Sequence, residues 1–169
     1  NVERISVGYS LSRSLFIRAQ GDFVLDQALL DRVEERMREL SAQALPIEKR
    51  SISTDDAIEL FRREGLVHKA QLLSFRVNSH VNIYELDGFV DYFYGYMVPD
   101  TGYVRCFGLE LFESGFVLRL PTLKDPDHLG QFQPSLKVFR ELYDSTLRSE
   151  ALHASNVAEL NTTVSQGGA

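Results

Sequence analysis

Groups able to act as acids, bases, nucleophiles or metal ligands are sparse in this 169-residue chain. Its four histidines, His68, His80, His128 and His153, lie far apart. No two have the i, i+4 spacing that would place both imidazoles on one helix face around a metal. They read as surface or satisfied groups. The single cysteine, Cys106, excludes an intramolecular disulfide. Its neighbour Arg105 could lower a thiol pKa, but adjacent strand residues point to opposite faces. A buried, inert thiol is therefore expected. Asp87 and Asp91 are carboxylates within a β-like segment, and Asp91 is expected as a buried hydrogen-bonding group rather than a catalyst. The chain has no Gly-x-x-x-x-Gly-Lys-Ser/Thr and no Gly-x-Gly-x-x-Gly, so it carries no recognisable phosphate loop.

The densest chemistry is aromatic. "GFVDYFYGYMVPDTGYVRCFG", Gly88 to Gly108, holds seven rings: Phe89, Tyr92, Phe93, Tyr94, Tyr96, Tyr103 and Phe107. Core strands, a base-stacking surface and a catalytic loop would each use such residues. In a regular strand Phe89, Asp91 and Phe93 share one face, and Val90, Tyr92 and Tyr94 the other. Two apolar faces predict a covered central strand rather than an open stacking platform.

Elements must hold these residues in place. "ISVGYSLSRSLFIR" predicts one or two strands, closed by the Gln20-Gly21-Asp22 turn. Asp26 opens the clearest helix, with Leu30, Val33, Met37, Leu40 and Ala44 as its apolar stripe. Glu34 and Arg38 form a favourable i, i+4 pair on what reads as a solvated face. Pro46 stops this helix, and "PIEKRSI" is a short link or edge strand. "STDDAIELFRREG" is a second helix, capped by Ser53 or Thr54 and closed by Gly65; Leu66 to Leu73 is a third. From Val77 to Leu120 the pattern turns to β, with turns at Asp87-Gly88, Pro99 to Gly102 and Ser114-Gly115. Adjacent strands with such short joins should pair antiparallel. Pro134 starts a last helix, on which Leu136, Phe139, Tyr143 and Leu147 align. From Asn156 onward an ordered turn at best is expected. The fold class is thus α+β, an antiparallel sheet packed against helices.

Composition narrows the partners. A hydrophobic fraction of 44% with 25% charged residues is that of a globular domain able to bury a core. The net charge of −6 argues against nucleic acid, whose binders need a basic surface. tRNA remains a local possibility only. No apolar run approaches the roughly 20 residues of a membrane span, and no secretory signal is evident. A cytoplasmic protein is expected. The first residue is not Met and the last stretch, "NTTVSQGGA", is small and polar. Both suggest a piece of a longer protein.

"DGFVDYFYGYMVPDTGYVRCFGLELFESG" resembles the loop of the editing domain of threonyl-tRNA synthetase. That family reads approximately Gly-Asp-Phe-x-Asp-Leu-Cys-x-Gly-Pro-His-x-x-Ser/Thr-Gly. "LDRVEERMRELSAQALPIEKRSISTDDAIELFRREG" is similar to the helix, strand and helix before it. The resemblance covers about Gly8 to Leu120 and implies an editing-domain-like fold. It also implies what is missing. In the family the Cys and the His, with two histidines of an upstream helix, form the metal or hydrolytic site. Here Phe93 and Met97 stand in their places, as vestiges, and the histidine helix is not in the chain. Deacylase chemistry and zinc should be lost, the apolar replacements filling a pocket lined by Asp91, Tyr92, Tyr94 and Tyr96. "GYMVPDTGYVRCFGLELFESGFVLRLP" and "VFRELYDSTLRSEALHASNVAELN" look closer to bacterial uridine kinase-like proteins. In these such a domain follows a small ubiquitin-like domain and precedes a P-loop kinase. That likeness implies an accessory domain at residues 1–155 and a polar linker at 156–169. A kinase domain binding ATP and Mg would lie beyond.

Overall fold

The computed structural model of the protein describes residues 2–152 and 157–165. Along the chain run β1 (Val2–Leu11), β2 (Ser14–Gly21), α1 (Gln27–Ala42), β3 (Glu48–Ser53), α2 (Thr54–Arg63) and α3 (Val67–Ser74). Then follow β4 (His80–Leu86), β5 (Phe89–Tyr92), a 3-10 turn (Thr101–Tyr103), β6 (Gly108–Phe112), β7 (Gly115–Arg119), α4 (Leu136–Ala151) and α5 (Val157–Ser165). The fold is α+β with antiparallel sheets and packed helices, as the pattern predicts. It forms two compact units, Asn1–Ala44 with Thr101–Ser145, and Leu45–Asp100 with Thr146–Ala169.

In the first unit the sheet order is β1-β2-β7-β6. Period-two alternation sorts its side chains. Phe16 and Val117, opposite each other, pack with Leu11 and with Phe139 of α4. Ile17 and Phe116, the next pair, pack with Leu109 and with Leu30 of α1. The sheet is therefore covered on both faces, and each fully buried Leu or Phe contributes about 1.5–3 kcal/mol. α1 starts where expected because the Asp26 carboxylate accepts the Leu29 N–H at 2.7 Å. Its stripe is narrower than the periodicity suggests. Leu30 is buried and Met37 packs partly, but Val33 is exposed and Ala44 lies beyond the helix with φ 48°. On α4 Phe139 is buried and Tyr143 packs beside it, whereas Leu136 and Leu147 are exposed. The β1–β2 turn is Ser12-Arg13, both residues left-handed at φ 47° and 64°. Neither is Gly or Asn, so the turn carries no sequence signal. Gly115 is required by close approach: a Cβ there would sit 2.4 Å from the Ile17 carbonyl oxygen.

In the second unit β3, β4 and β5 pair in that order. Ser53 caps α2 by accepting the Asp56 N–H at 3.0 Å, acids occupy the first turn and arginines the last. Gly65, at φ 74°, ends it. Ala57 and Phe61 of α2, Ala70 and Leu73 of α3, and Val81 and Ile83 of β4 form one core. After Asn156 the chain does more than turn: α5 forms, and Gln71 of α3 donates from Nε2 to Thr162 Oγ1 at 2.7 Å.

The β-rich run from Val77 to Leu120 is not one sheet of consecutive partners. β4 and β5 belong to the second unit's sheet, β6 and β7 to the first's. Between Phe93 and Phe107 other bonds replace ladder pairing. Ile47 donates its N–H to the Pro99 carbonyl at 2.8 Å. Thr101 Oγ1 donates to the Leu40 carbonyl at 2.5 Å, and Ser41 Oγ to the Val104 carbonyl at 2.6 Å.

Candidate functional site

The site region begins where β5 leaves β4. Ile83 opposite Tyr92 is the last matched pair, so β4 from His80 to Asn82 has no partner from β5. Val90 and Tyr92 pack on the core, the Tyr92 ring lying 6.3 Å from that of Phe61. Beyond Tyr92 the path is held by Tyr84, a buried residue of β4 whose hydroxyl donates to the Gly95 carbonyl at 2.8 Å. The divergence opens a recess of about 200 Å³. Arg76, Asn78, His80 and Asn82 line one part of it, and the rings of Tyr92, Phe93 and Tyr94 another.

β5 is an edge strand of four residues, with β4 in the middle of the sheet. The covered central strand expected from two apolar faces is therefore corrected. One face, that of Val90 and Tyr92, meets the core. The side chains past Tyr92 are largely exposed. Phe93 is 50% exposed, Met97 43%, Tyr94 78% and Tyr96 91%. Phe93 and Met97 do not fill a closed pocket, contrary to the expectation for apolar replacements; Phe93 lines the open recess with Tyr92 and Tyr94. Asp91 is half-buried, not enclosed. One oxygen lies 2.6 Å from Lys69 Nζ and the other accepts the Tyr92 N–H at 2.7 Å, a structural role of the expected kind. Lys49 Nζ stands 5.0 Å from the centre of the Tyr96 ring, a cation–π contact.

The remaining candidates stay apart. His68, His80 and His128 are exposed, and His153 lies outside the described residues. His128 Nδ1 is 2.8 Å from Asp125 Oδ1, and that hydrogen-bonded carboxylate raises its pKa. Cys106 is half-buried and belongs to no strand, since β6 begins only at Gly108. Among the described residues no three His, Cys, Asp or Glu side chains are grouped so as to hold a metal ion. Phe93 offers no donor and the Met97 thioether is a soft, weak one, so this pair does not suit zinc. No helix among the described residues is long and apolar enough to cross a membrane.

Three residues escaped the sequence reading. Glu34 and Arg38 are not merely a solvated pair: Glu34 Oε2 accepts the Leu109 N–H at 2.6 Å at the start of β6. Arg38 donates to the Phe107 carbonyl at 3.2 Å and lies over the buried Phe107 ring at 5.2 Å. Arg76 stands over two tyrosines, 4.8 Å from the centre of the Tyr94 ring and 5.7 Å from that of Tyr92. A lone arginine after a short helix carries no motif that would mark it.

No protein-family model matches the chain. Part of it is similar to threonine–tRNA ligases. The match to that of Geobacter sp. (strain M21) is 30% identical over 106 residues, 63% of this chain and 17% of the relative. That of Methylococcus capsulatus is 38% identical over 81 residues, 47% of this chain and 13% of the relative. That of Syntrophotalea carbinolica is 38% identical over 79 residues, 47% and 12% respectively. The chain thus matches between 12% and 17% of the length of these curated relatives.

Proposed function

We propose that this chain is a non-catalytic accessory module, built like the editing region of a threonyl-tRNA synthetase but without its hydrolytic donors. The observation that carries the reading is the pair Phe93 and Met97. The resemblance puts a Cys and a His at these positions, and neither present side chain can activate water or hold zinc. The partial similarity to threonine–tRNA ligases supports the module type. The Lys69–Asp91 pair and the Tyr84–Gly95 bond keep the frame around these positions in order.

The finer reading places the module ahead of a P-loop nucleoside kinase of the uridine kinase-like kind, after a small ubiquitin-like domain. ATP and Mg would then be bound by the kinase domain, and this module would position or regulate it. The natural reading frame tests this: a Gly-x-x-x-x-Gly-Lys-Ser/Thr loop soon after residue 169 is expected, and a synthetase catalytic region there would contradict it. A second reading, a tRNA-binding module without chemistry, is favoured by the name shared by the relatives. Its mark would be a salt-sensitive shift of tRNA by the isolated chain.

A further inference from the structure

We infer that the recess beside β4 is a binding site for an oxyanion, a phosphate or carboxylate group, with Arg76 as its anchor. The inference stands apart from the accessory-module reading, and either can fail without the other. Arg76 is half-buried. Its guanidinium lies over Tyr94 and Tyr92 at 4.8 and 5.7 Å, and no carboxylate pairs with it among the described residues. A cation–π contact uses none of a guanidinium's N–H donors, and two of these can grip an oxyanion with parallel bonds.

The other polar groups of the recess are of matching kind. Asn78 and Asn82 contribute amides, and His80 contributes an imidazole whose Nδ1 is turned to Ser79 Oγ at 3.1 Å. No Asp or Glu lines the recess. In a chain of net charge −6 such a cluster is out of character. Its backbone is fixed before any ligand arrives. Arg76 donates its N–H to the Leu73 carbonyl at 2.9 Å, and Thr54 holds both the Asn78 carbonyl, through its hydroxyl at 2.5 Å, and the Ser79 carbonyl, through its N–H at 2.9 Å. A preorganised site loses less entropy on binding. The half-exposed Phe93 ring beside it would favour an oxyanion carried on an apolar or planar body. The larger hollow near Arg119, about 370 Å³, has no equivalent group, because Glu110 and the Gly130 carbonyl already hold that guanidinium.

The test is a titration of the whole 169-residue chain with inorganic phosphate at constant ionic strength, read by NMR at the Arg76 Nε–H and the Asn78 and Asn82 side-chain amides. Acetate and phenyl phosphate form parallel series. Saturable shifts confined to these groups are expected. Arg76→Gln should weaken them roughly tenfold, the effect of one lost charge-assisted pair. Arg76→Lys should fall between, since an ammonium cannot form the two-bond grip. Tighter binding of phosphate assigns the group to a phosphate ester, and tighter binding of acetate assigns it to a carboxylate. Tighter phenyl phosphate than phosphate assigns a role to Phe93. Should Arg76→Gln lose its dispersed spectrum, Asn78→Ala serves the same purpose with a several-fold weakening. Shifts that rise linearly, spread over the surface, or keep the same apparent affinity in a folded Arg76→Gln or Asn78→Ala variant overturn the inference.

Discussion

Removing the Glu34 carboxylate tests whether one side chain of α1 truly holds the start of β6. Glu34 is 23% exposed at its side chain, and Oε2 accepts the Leu109 N–H at 2.6 Å while Oε1 lies 2.5 Å from Arg38. Leu109 is buried, so its amide loses its acceptor in a largely enclosed place when the carboxylate goes. A buried donor left without a partner costs about 1–3 kcal/mol. The exposed Arg38 pair adds about 0–1 kcal/mol. Glu34→Ala should therefore cost about 2 kcal/mol, a fall in Tm of about 4–8 °C for a chain of this size. Glu34→Gln keeps an acceptor for Leu109 and loses only the charge, so it should cost about half as much. The chain has no tryptophan, so urea unfolding is followed by circular dichroism. Hydrogen exchange at the Leu109 amide gives the local reading. Equal and small effects of the two substitutions, below about 0.5 kcal/mol, with exchange at Leu109 unchanged, would show that Glu34 does not hold the start of β6.

Three further outcomes are expected. Gly115→Ala should destabilise the first unit by about 1–3 kcal/mol, because the new methyl meets the Ile17 carbonyl at 2.4 Å; thermal melts check this. The Tyr9 hydroxyl is buried with no hydrogen-bond partner among the described residues, so Tyr9→Phe should leave stability unchanged or raise it by about 1 kcal/mol in urea unfolding, against the usual loss. Burial, then the nearby Tyr143 phenol, push the Tyr9 pKa up to about 12, while Arg18 opposes them. The folded state therefore keeps a proton that the unfolded chain gives up near pH 10. Stability from this source is complete below pH 10 and is lost as pH rises towards 12, a decline that Tyr9→Phe should flatten. Phe93→Cys with Met97→His should not produce hydrolysis of threonyl- or seryl-tRNA by this chain, because the resemblance implies a site that needs two further histidines from one helix, and no two histidines of this sequence have such spacing; measured deacylation by that double variant would show otherwise.

The elements with local physical signals were legible. Asp26 and Ser53 mark helix starts because their side chains cap them, and Gly65 marks an end because it adopts a positive φ. The turn at Asp87-Gly88 was found for the same reason, both residues being left-handed. The Ser12-Arg13 turn has the same backbone without the usual residues. The aromatic run misled because alternation reports which faces are apolar, not which have something to pack against. Phe93 to Met97 continue the pattern of β5 but lie past its last partner. Glu34 was read as solvated because its i, i+4 arginine explained it locally, whereas its acceptor role depends on β6, 75 residues away. Arg76 became visible only once Tyr92 and Tyr94 were placed beneath it.

On the proposed reading, the frame around Phe93 and Met97 carries no hydrolytic centre. Incubation of the purified chain with seryl- and threonyl-tRNA, with zinc added or chelated, measures this most directly. The expected result is ester loss at the rate of buffer alone under both conditions. Turnover above that rate which disappears with chelation, or with substitution of Met97, would contradict it.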